Sequence, residues 1–193
     1  MKSPELETRA TQYATLKGIQ VDLDHPLGAG TDGSVWPTSR KSAIKVLELE
    51  KNYVQELRCY QRLLEHKVVR LDGLAVPKLI DFDDSLLVIE INIVEPPYLL
   101  DFGKAYLDES SPYSQEELSR YLTELAAHFS QADLPRIKKI LRLLRTYGIE
   151  YLDAKAKNIR LRSDEDERLI QDDDWDKEPP TDYFEEEVED ESG

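Results

Sequence analysis

The amino-acid sequence predicts an α+β fold in two lobes, a mainly antiparallel sheet with one helix followed by a reduced helical lobe. Up to residue 91, short apolar segments alternate with turn residues, which is typical of strands joined by hairpins. After residue 114, two longer segments repeat their apolar residues at helical spacing. We expect a first lobe, a hinge, a second lobe and an acidic, disordered tail, over residues 1–91, 92–97, 98–175 and 176–193.

The charge of the chain excludes some classes of partner. The chain has 193 residues and a formal net charge of −15. Nonspecific binding to nucleic acid or anionic lipid needs a basic surface, so we expect neither nucleic acid nor membrane as a partner. No apolar run approaches the length of a membrane span, and the N-terminus has no signal-peptide core. The single cysteine, Cys59, cannot form an internal disulfide, which predicts a cytoplasmic protein.

The first lobe begins with a predicted helix over residues 4–16, which ends at Gly18. Ile19, Val21 and Leu23 then alternate with polar residues and predict a strand. Further on, residues 77–91 predict two strands joined by a turn at 83–85.

A glycine-rich segment with the pattern G-x-G-x-x-G-x-V follows the first predicted strand, at Gly28, Gly30, Gly33 and Val35. Glycines let the backbone N–H groups of a turn approach phosphate oxygens that a Cβ would obstruct. Dinucleotide-binding folds use such glycines between a strand and a helix. Here the apolar run at 43–47 predicts a second strand after the turn. A tight hairpin without a ligand is the alternative.

Lys45 interrupts this apolar strand, where an unpaired ammonium would be costly. The next predicted helix, over residues 52–66, has a broad apolar surface and carries Glu56 beside Leu57. We therefore predict a Lys45–Glu56 ion pair. A glutamate that faces solvent is the alternative.

The second lobe is predicted to contain two packed helices. Ser114 and Glu117 form a capping box that opens the first helix, and the second helix ends at Gly148. Between Gly148 and a short predicted strand at 159–161 lie Asp153, Lys155 and Asn158. The carboxylate can take a proton from a hydroxyl, the lysine can neutralise a phosphoryl group, and the asparagine oxygen can bind Mg²⁺. Surface charge on a turn is the alternative.

These segments together resemble the eukaryotic-type protein kinase superfamily. Asp153, Lys155 and Asn158 match the catalytic-loop pattern His-Arg-Asp-Leu-Lys-x-x-Asn, with Tyr151 and Leu152 as departures. Residues 42–45 match the family's Val-Ala-Ile-Lys pattern in their last three positions. The motifs occur in the family's order across residues 27–172.

The resemblance implies a phosphotransferase that uses ATP and Mg²⁺, with an unknown acceptor. Residues implied to bind the nucleotide are Gly28, Gly30, Gly33, Val35, Lys45, Glu56 and, at the start of the adenine-binding hinge, Glu90. The implied catalytic residues are Asp153, Lys155 and Lys45. Asn158 and Asp172 are the implied metal ligands.

A second aspartate, Asp101, also matches the family's metal-binding motif. Asp101-Phe102-Gly103 spells the family's metal-binding triplet, but it precedes the catalytic loop that this triplet should follow. We therefore predict that Phe102 packs in the interior and that Gly103 forms a turn. Residues 169–171 predict a short strand after the catalytic loop, and Asp172 follows it, with Asp173 and Asp174 in place of Phe-Gly. An acidic stretch that begins the tail is the alternative.

The chain also departs from the family at its end, because only 21 residues, most of them polar or acidic, follow Asp172. Kinases usually carry an activation segment and several helices there. The alternative function is a pseudokinase-like module that binds nucleotide or a protein without catalysis. A third interpretation is an acidic regulatory protein, whose tail would contact a basic protein partner.

Overall fold

The computed structural model describes residues 4–99, 102–103, 105–108, 114, 116, 120–121, 123, 125, 129–152, 154 and 158–162. They form an α+β fold with antiparallel sheets. The helices that the described residues define from end to end are α1 (Pro4–Lys17), α2 (Glu50–Glu65) and α3 (Leu134–Thr146). The strands are β1 (Gly28–Ala29), β2 (Gly33–Pro37), β3 (Ser42–Leu47), β4 (Arg70–Leu71), β5 (Leu74–Ala75), β6 (Leu79–Asp83), β7 (Val88–Asn92), β8 (Tyr98–Leu99), β9 (Ala105–Leu107), β10 (Ile149–Tyr151) and β11 (Ile159–Arg160).

The largest sheet has five antiparallel strands in the order β1-β2-β3-β7-β6. Its central strand, β3, is buried at every residue, which explains the apolar run in the sequence. Cross-strand pairing sets Val35 of β2 and Ile89 of β7 on either side of Lys45. The glycine-rich segment lies in the hairpin between β1 and β2. A strand follows its turn, as predicted, and not a helix.

Helices cover both faces of this sheet. The buried face of α1 (Leu6, Ala10, Tyr13 and Ala14) has the spacing of one helical stripe. It packs with Trp36, Ile44, Val46 and Val88 in one hydrophobic cluster. On the opposite face, α2 packs in the larger cluster that also contains the apolar residues of α3 and of the short sheets. Burial on both faces fixes the register of β3, because a one-residue slip would exchange its two faces.

The remaining described strands form two smaller sheets. β11, β8, β5 and β4 form one in that order, with β5 and β8 parallel. β9 and β10 form an antiparallel pair in which Ala105 lies opposite Tyr151. α3 precedes β10 directly, and Gly148 ends the helix with a left-handed φ of 75°, as predicted.

The sequence predictions differ from the structure at short elements. Residues 19–23, predicted as a strand, make one isolated bridge, from Val21 to Thr38. The Asp22 carboxylate accepts the N–H groups of Asp24 and His25 and turns the chain away. β4, β5, β8, β9 and β10 were not predicted, because two or three residues are too few for a visible alternation.

Several predictions fall outside the described residues, namely the division at residue 175, the strand at 169–171 and the tail at 176–193. Within the described ranges, no helix is long and apolar enough to cross a membrane.

Candidate functional site

The glycine hairpin at the end of β1 is closed by its own backbone. Gly28 lies opposite Val35, and the Gly30 N–H donates to the Gly33 carbonyl at 3.0 Å. Asp32 fixes the tip of the hairpin to the start of α2, since its carboxylate accepts Asn52 Nδ2 at 3.1 Å. The hairpin is therefore ordered by contacts to the same helix that carries Glu56.

The three glycines of the hairpin have different reasons to be glycine. A Cβ at Gly33 would lie 2.2 Å from the Val46 carbonyl oxygen, so the packing of β2 on β3 excludes any side chain there. At Gly28 and Gly30, a Cβ would meet no described atom within 4 Å, and neither residue has a left-handed φ. The described fold therefore explains Gly33, but it does not require glycine at Gly28 or Gly30.

Lys45 and Glu56 form a buried ion pair between β3 and α2, as the sequence predicted. Lys45 Nζ donates to Oε1 and Oε2 of Glu56 at 2.8 and 2.7 Å. Glu56 is fully buried, and the Lys45 side chain is 10% exposed. In such buried surroundings, removal of one partner of an ion pair is strongly destabilising.

Glu90 lies in the middle of β7, with its side chain on the other face of the sheet from Lys45. It is paired with Ile44, the neighbour of Lys45, and successive residues of a strand face opposite sides. Its carboxylate accepts Tyr13 Oη at 2.8 Å and Arg40 Nε at 2.7 Å, and it also contacts Ser42 Oγ. The side chain predicted at a nucleotide-binding hinge thus joins α1 to the sheet.

This network determines the charge state of Glu90. Burial would raise the pKa of the carboxyl group, but the hydrogen bonds from Arg40, Ser42 and Tyr13 outweigh it, and the pKa is lowered. Sequence reasoning missed the network. Its one signal was Tyr13, a polar-tipped aromatic residue on the apolar stripe of α1.

The flanks of the predicted catalytic loop lie on two different sheets. Tyr151 ends β10, and Asn158 directly precedes β11. Tyr151, Leu152, Ala154 and Asn158 are all buried. Asp153, Lys155 and Asp172 lie outside the described residues. The structure therefore brings Val35, Lys45 and Glu56 together, and it gives the position of one predicted metal ligand, Asn158.

Phe102 has the interior role that the sequence predicted. It is fully buried, with its ring edge-on to Tyr60 of α2 at 5.1 Å and to Tyr151 at 5.9 Å between centroids. Gly103 lies in a turn. Asp101 of the same triplet is outside the described residues. Phe102 thus connects α2 to the strand that leads into the predicted catalytic loop.

The described residues contain no group of three or more His, Cys, Asp or Glu side chains that could hold a metal ion. The predicted ligand pair, Asn158 and Asp172, would not form such a group.

Comparison with known proteins assigns no family to this arrangement. No protein-family model matches the chain, and no curated protein matches it.

Proposed function

We propose that this protein is a phosphotransferase that uses MgATP, with a minimal protein-kinase-like, two-lobed fold and an unidentified acceptor. The observation that carries the proposal is the buried Lys45–Glu56 pair beside the glycine hairpin. By the predicted bounds, the first lobe would comprise α1, α2 and β1–β7, and the second would contain α3 with β8–β11.

The ion pair supports a binding role because a buried ion pair usually contributes little to the stability of a fold. Replacing a buried ion pair by apolar side chains is often neutral or stabilising. Lys45 also stands in the one described strand that is buried at every residue, where an apolar side chain would fit the surroundings. A lysine held in place by a buried glutamate is suited to bind an anionic group such as a phosphate.

The hairpin supports the same ligand. The space that a Cβ would occupy at Gly28 and Gly30 is open, and no described residue fills it. A phosphate chain that approaches the backbone closely would require that space. Gly33, which was predicted to bind the nucleotide, has a packing role that explains it without a ligand.

In this proposal, ATP supplies the phosphoryl group that is transferred, and Mg²⁺ neutralises its charge. Lys45 would bind the phosphates, and Glu56 would hold the ammonium of Lys45 in place. Asp153 would accept the proton of the acceptor hydroxyl, and Lys155 would stabilise the transferred group. Asn158 and Asp172 would bind the metal.

The test is a transfer assay with γ-labelled ATP, Mg²⁺ and a cell extract as the source of acceptors, alongside equilibrium binding of ATP. We expect labelled product with the unchanged protein, and Asp153→Asn should abolish transfer while it retains ATP binding. Asp24→Asn, an exposed aspartate in a turn far along the chain from this loop, is the matched control and should change neither measurement.

Two other results are informative. ATP binding without transfer by the unchanged protein would favour the alternative, a nucleotide-binding module without catalysis. Absence of both binding and transfer would contradict the proposal.

A further inference from the structure

We propose that Arg62 is a positioning residue, which couples the Lys45–Glu56 pair to the segment leading into the predicted catalytic loop. The proposal rests on the function proposed above. Arg62 lies on α2, six residues after Glu56, and it contacts both β9 and the end of α3.

The contacts of Arg62 join three elements at one guanidinium group. Nη1 and Nη2 donate to the two carboxylate oxygens of Asp108, at 3.1 and 2.5 Å. Nη1 also donates to the Tyr147 carbonyl at 2.8 Å, at the C-cap of α3. Asp108 directly follows β9, and its N–H donates to the Gly148 carbonyl at 2.8 Å. Movement of α2 would therefore break contacts to both neighbours of β10.

The backbone around this contact is adapted to it. Gly148 has a φ of 75°, and a Cβ there would lie 2.2 Å from Asp108 Oδ1 and 2.9 Å from Arg62 Nη1. Asp108 also has a left-handed φ, 55°, which a residue other than glycine seldom adopts. The absence of a Cβ at Gly148 thus leaves space for the Arg62–Asp108 ion pair, and Asp108 forms it in an uncommon backbone conformation.

A second set of contacts joins α2 to the same hairpin. Gln55, next to Glu56, donates its side-chain amide to the Ala105 carbonyl. Ala105 lies opposite Tyr151, two residues before Asp153. Arg62 and Gln55 therefore hold α2 at both ends of β9. A shift of this helix would displace Glu56 on one side and β10 on the other.

The exposure of the Arg62–Asp108 ion pair distinguishes a positioning role from a role in global stability. The Asp108 side chain is 60% exposed and that of Arg62 is 23% exposed, and ion pairs with one partner in solvent contribute little to global stability. We therefore expect loss of the contact to change the local opening of α2 and the affinity for ATP, with little change in melting temperature.

Labelling of Cys59 can measure the local opening of α2. Cys59 is the single cysteine, it is fully buried, and it lies on α2 between Glu56 and Arg62. A thiol reagent can reach it when α2 separates from its neighbours. Arg58 is the matched control, because it is exposed on the same helix and makes no ion pair or hydrogen bond within the described ranges.

The experiment measures Cys59 labelling at low urea and ATP affinity for the full chain and for Arg62→Ala, Asp108→Asn and Arg58→Ala. We expect labelling to accelerate about tenfold, and ATP affinity to fall about tenfold, with Arg62→Ala and Asp108→Asn. Arg58→Ala should match the unchanged protein. The accelerated labelling should depend only weakly on urea, since local opening exposes little surface.

Unchanged labelling and affinity in Arg62→Ala, with ATP bound by the unchanged protein, would overturn the positioning role alone. Faster labelling that rises steeply with urea would also overturn it, because global unfolding would then explain the effect. Absence of ATP binding in the unchanged protein would instead overturn the proposed function.

Discussion

Lys45 Nζ donates to both carboxylate oxygens of Glu56, at 2.8 and 2.7 Å, and this contact joins the central strand of the main sheet to α2. The two residues are 11 positions apart in sequence, on opposite sides of a turn. Their pairing places a lysine beside the glycine hairpin. At the first two glycines of this hairpin, Gly28 and Gly30, an added Cβ would meet no described atom within 4 Å.

The first prediction separates stability from binding at this pair. Glu56→Gln should destabilise the protein by about 3 kcal/mol, because it removes the carboxylate charge that contacts the buried Lys45 ammonium. The double variant Lys45→Met with Glu56→Leu should recover most of that loss, since both side chains are then apolar. Urea unfolding measures the stability, and neither variant should bind ATP. If the double variant binds ATP as well as the unchanged protein does, Lys45 has no role in binding.

The second prediction concerns the three glycines. Gly33→Ala should lower the melting temperature, because its Cβ would lie 2.2 Å from the Val46 carbonyl oxygen. Gly30→Ala should leave the melting temperature nearly unchanged and weaken ATP binding, because the added Cβ would meet no described atom within 4 Å but would occupy space that the phosphates need. Thermal unfolding with and without MgATP measures both effects. Equal ATP-induced shifts for Gly30→Ala and the unchanged protein would contradict the proposed role of the hairpin.

The third prediction concerns pH. The pKa of Glu90 is below its ordinary value of 4.5, so the folded protein keeps the charge at pH values where the unfolded chain has taken up a proton. Its contribution is therefore complete above about pH 4.5 and is lost as the pH falls through the lowered pKa. The stability difference between the unchanged protein and Glu90→Gln, from urea unfolding between pH 7 and pH 3, should shrink below pH 4.5. A difference that stays constant with pH would count against the network.

The fourth prediction tests the interior packing of Phe102, the middle residue of the Asp101-Phe102-Gly103 triplet. Phe102→Ala should cost about 3–5 kcal/mol, because it removes a fully buried ring between Tyr60 and Tyr151. Phe102→Leu should recover much of this loss. Urea unfolding of both variants is the measurement, and a cost below about 1 kcal/mol for Phe102→Ala would show that this contact is not part of the core.

The sequence was informative where a pattern of several residues had one physical explanation. The helices predicted over residues 4–16 and 52–66 lie close to the observed α1 and α2, and the apolar pattern that ends at Gly148 is α3. Lys45 within an apolar strand predicted a buried acidic partner, because an unpaired ammonium there would be costly. The strand–turn–strand arrangement of the glycine segment followed from the apolar run after it.

The rest depends on contacts that no local pattern records. Glu90 looks like part of a hinge in the sequence, and only tertiary contacts show that Tyr13 and Arg40, 77 and 50 residues away, bind its carboxylate. Arg62 and Asp108 are ordinary surface residues in the sequence, 46 positions apart. The strands β4, β5, β8 and β9 form because their neighbours in space pair with them, so two or three residues suffice.

The most direct test of the proposed function is calorimetric titration of ATP into the full chain, with Mg²⁺ and with a chelator in its place. We expect binding that depends on Mg²⁺, which Asp172→Asn weakens and Asp101→Asn leaves unchanged, because the ligand predicted for the metal follows the catalytic loop. Loss of binding in Asp101→Asn with intact binding in Asp172→Asn would show that the predicted positions in the second lobe are wrong. Failure of the unchanged protein to bind ATP with Mg²⁺ present would contradict the proposal that it uses this nucleotide.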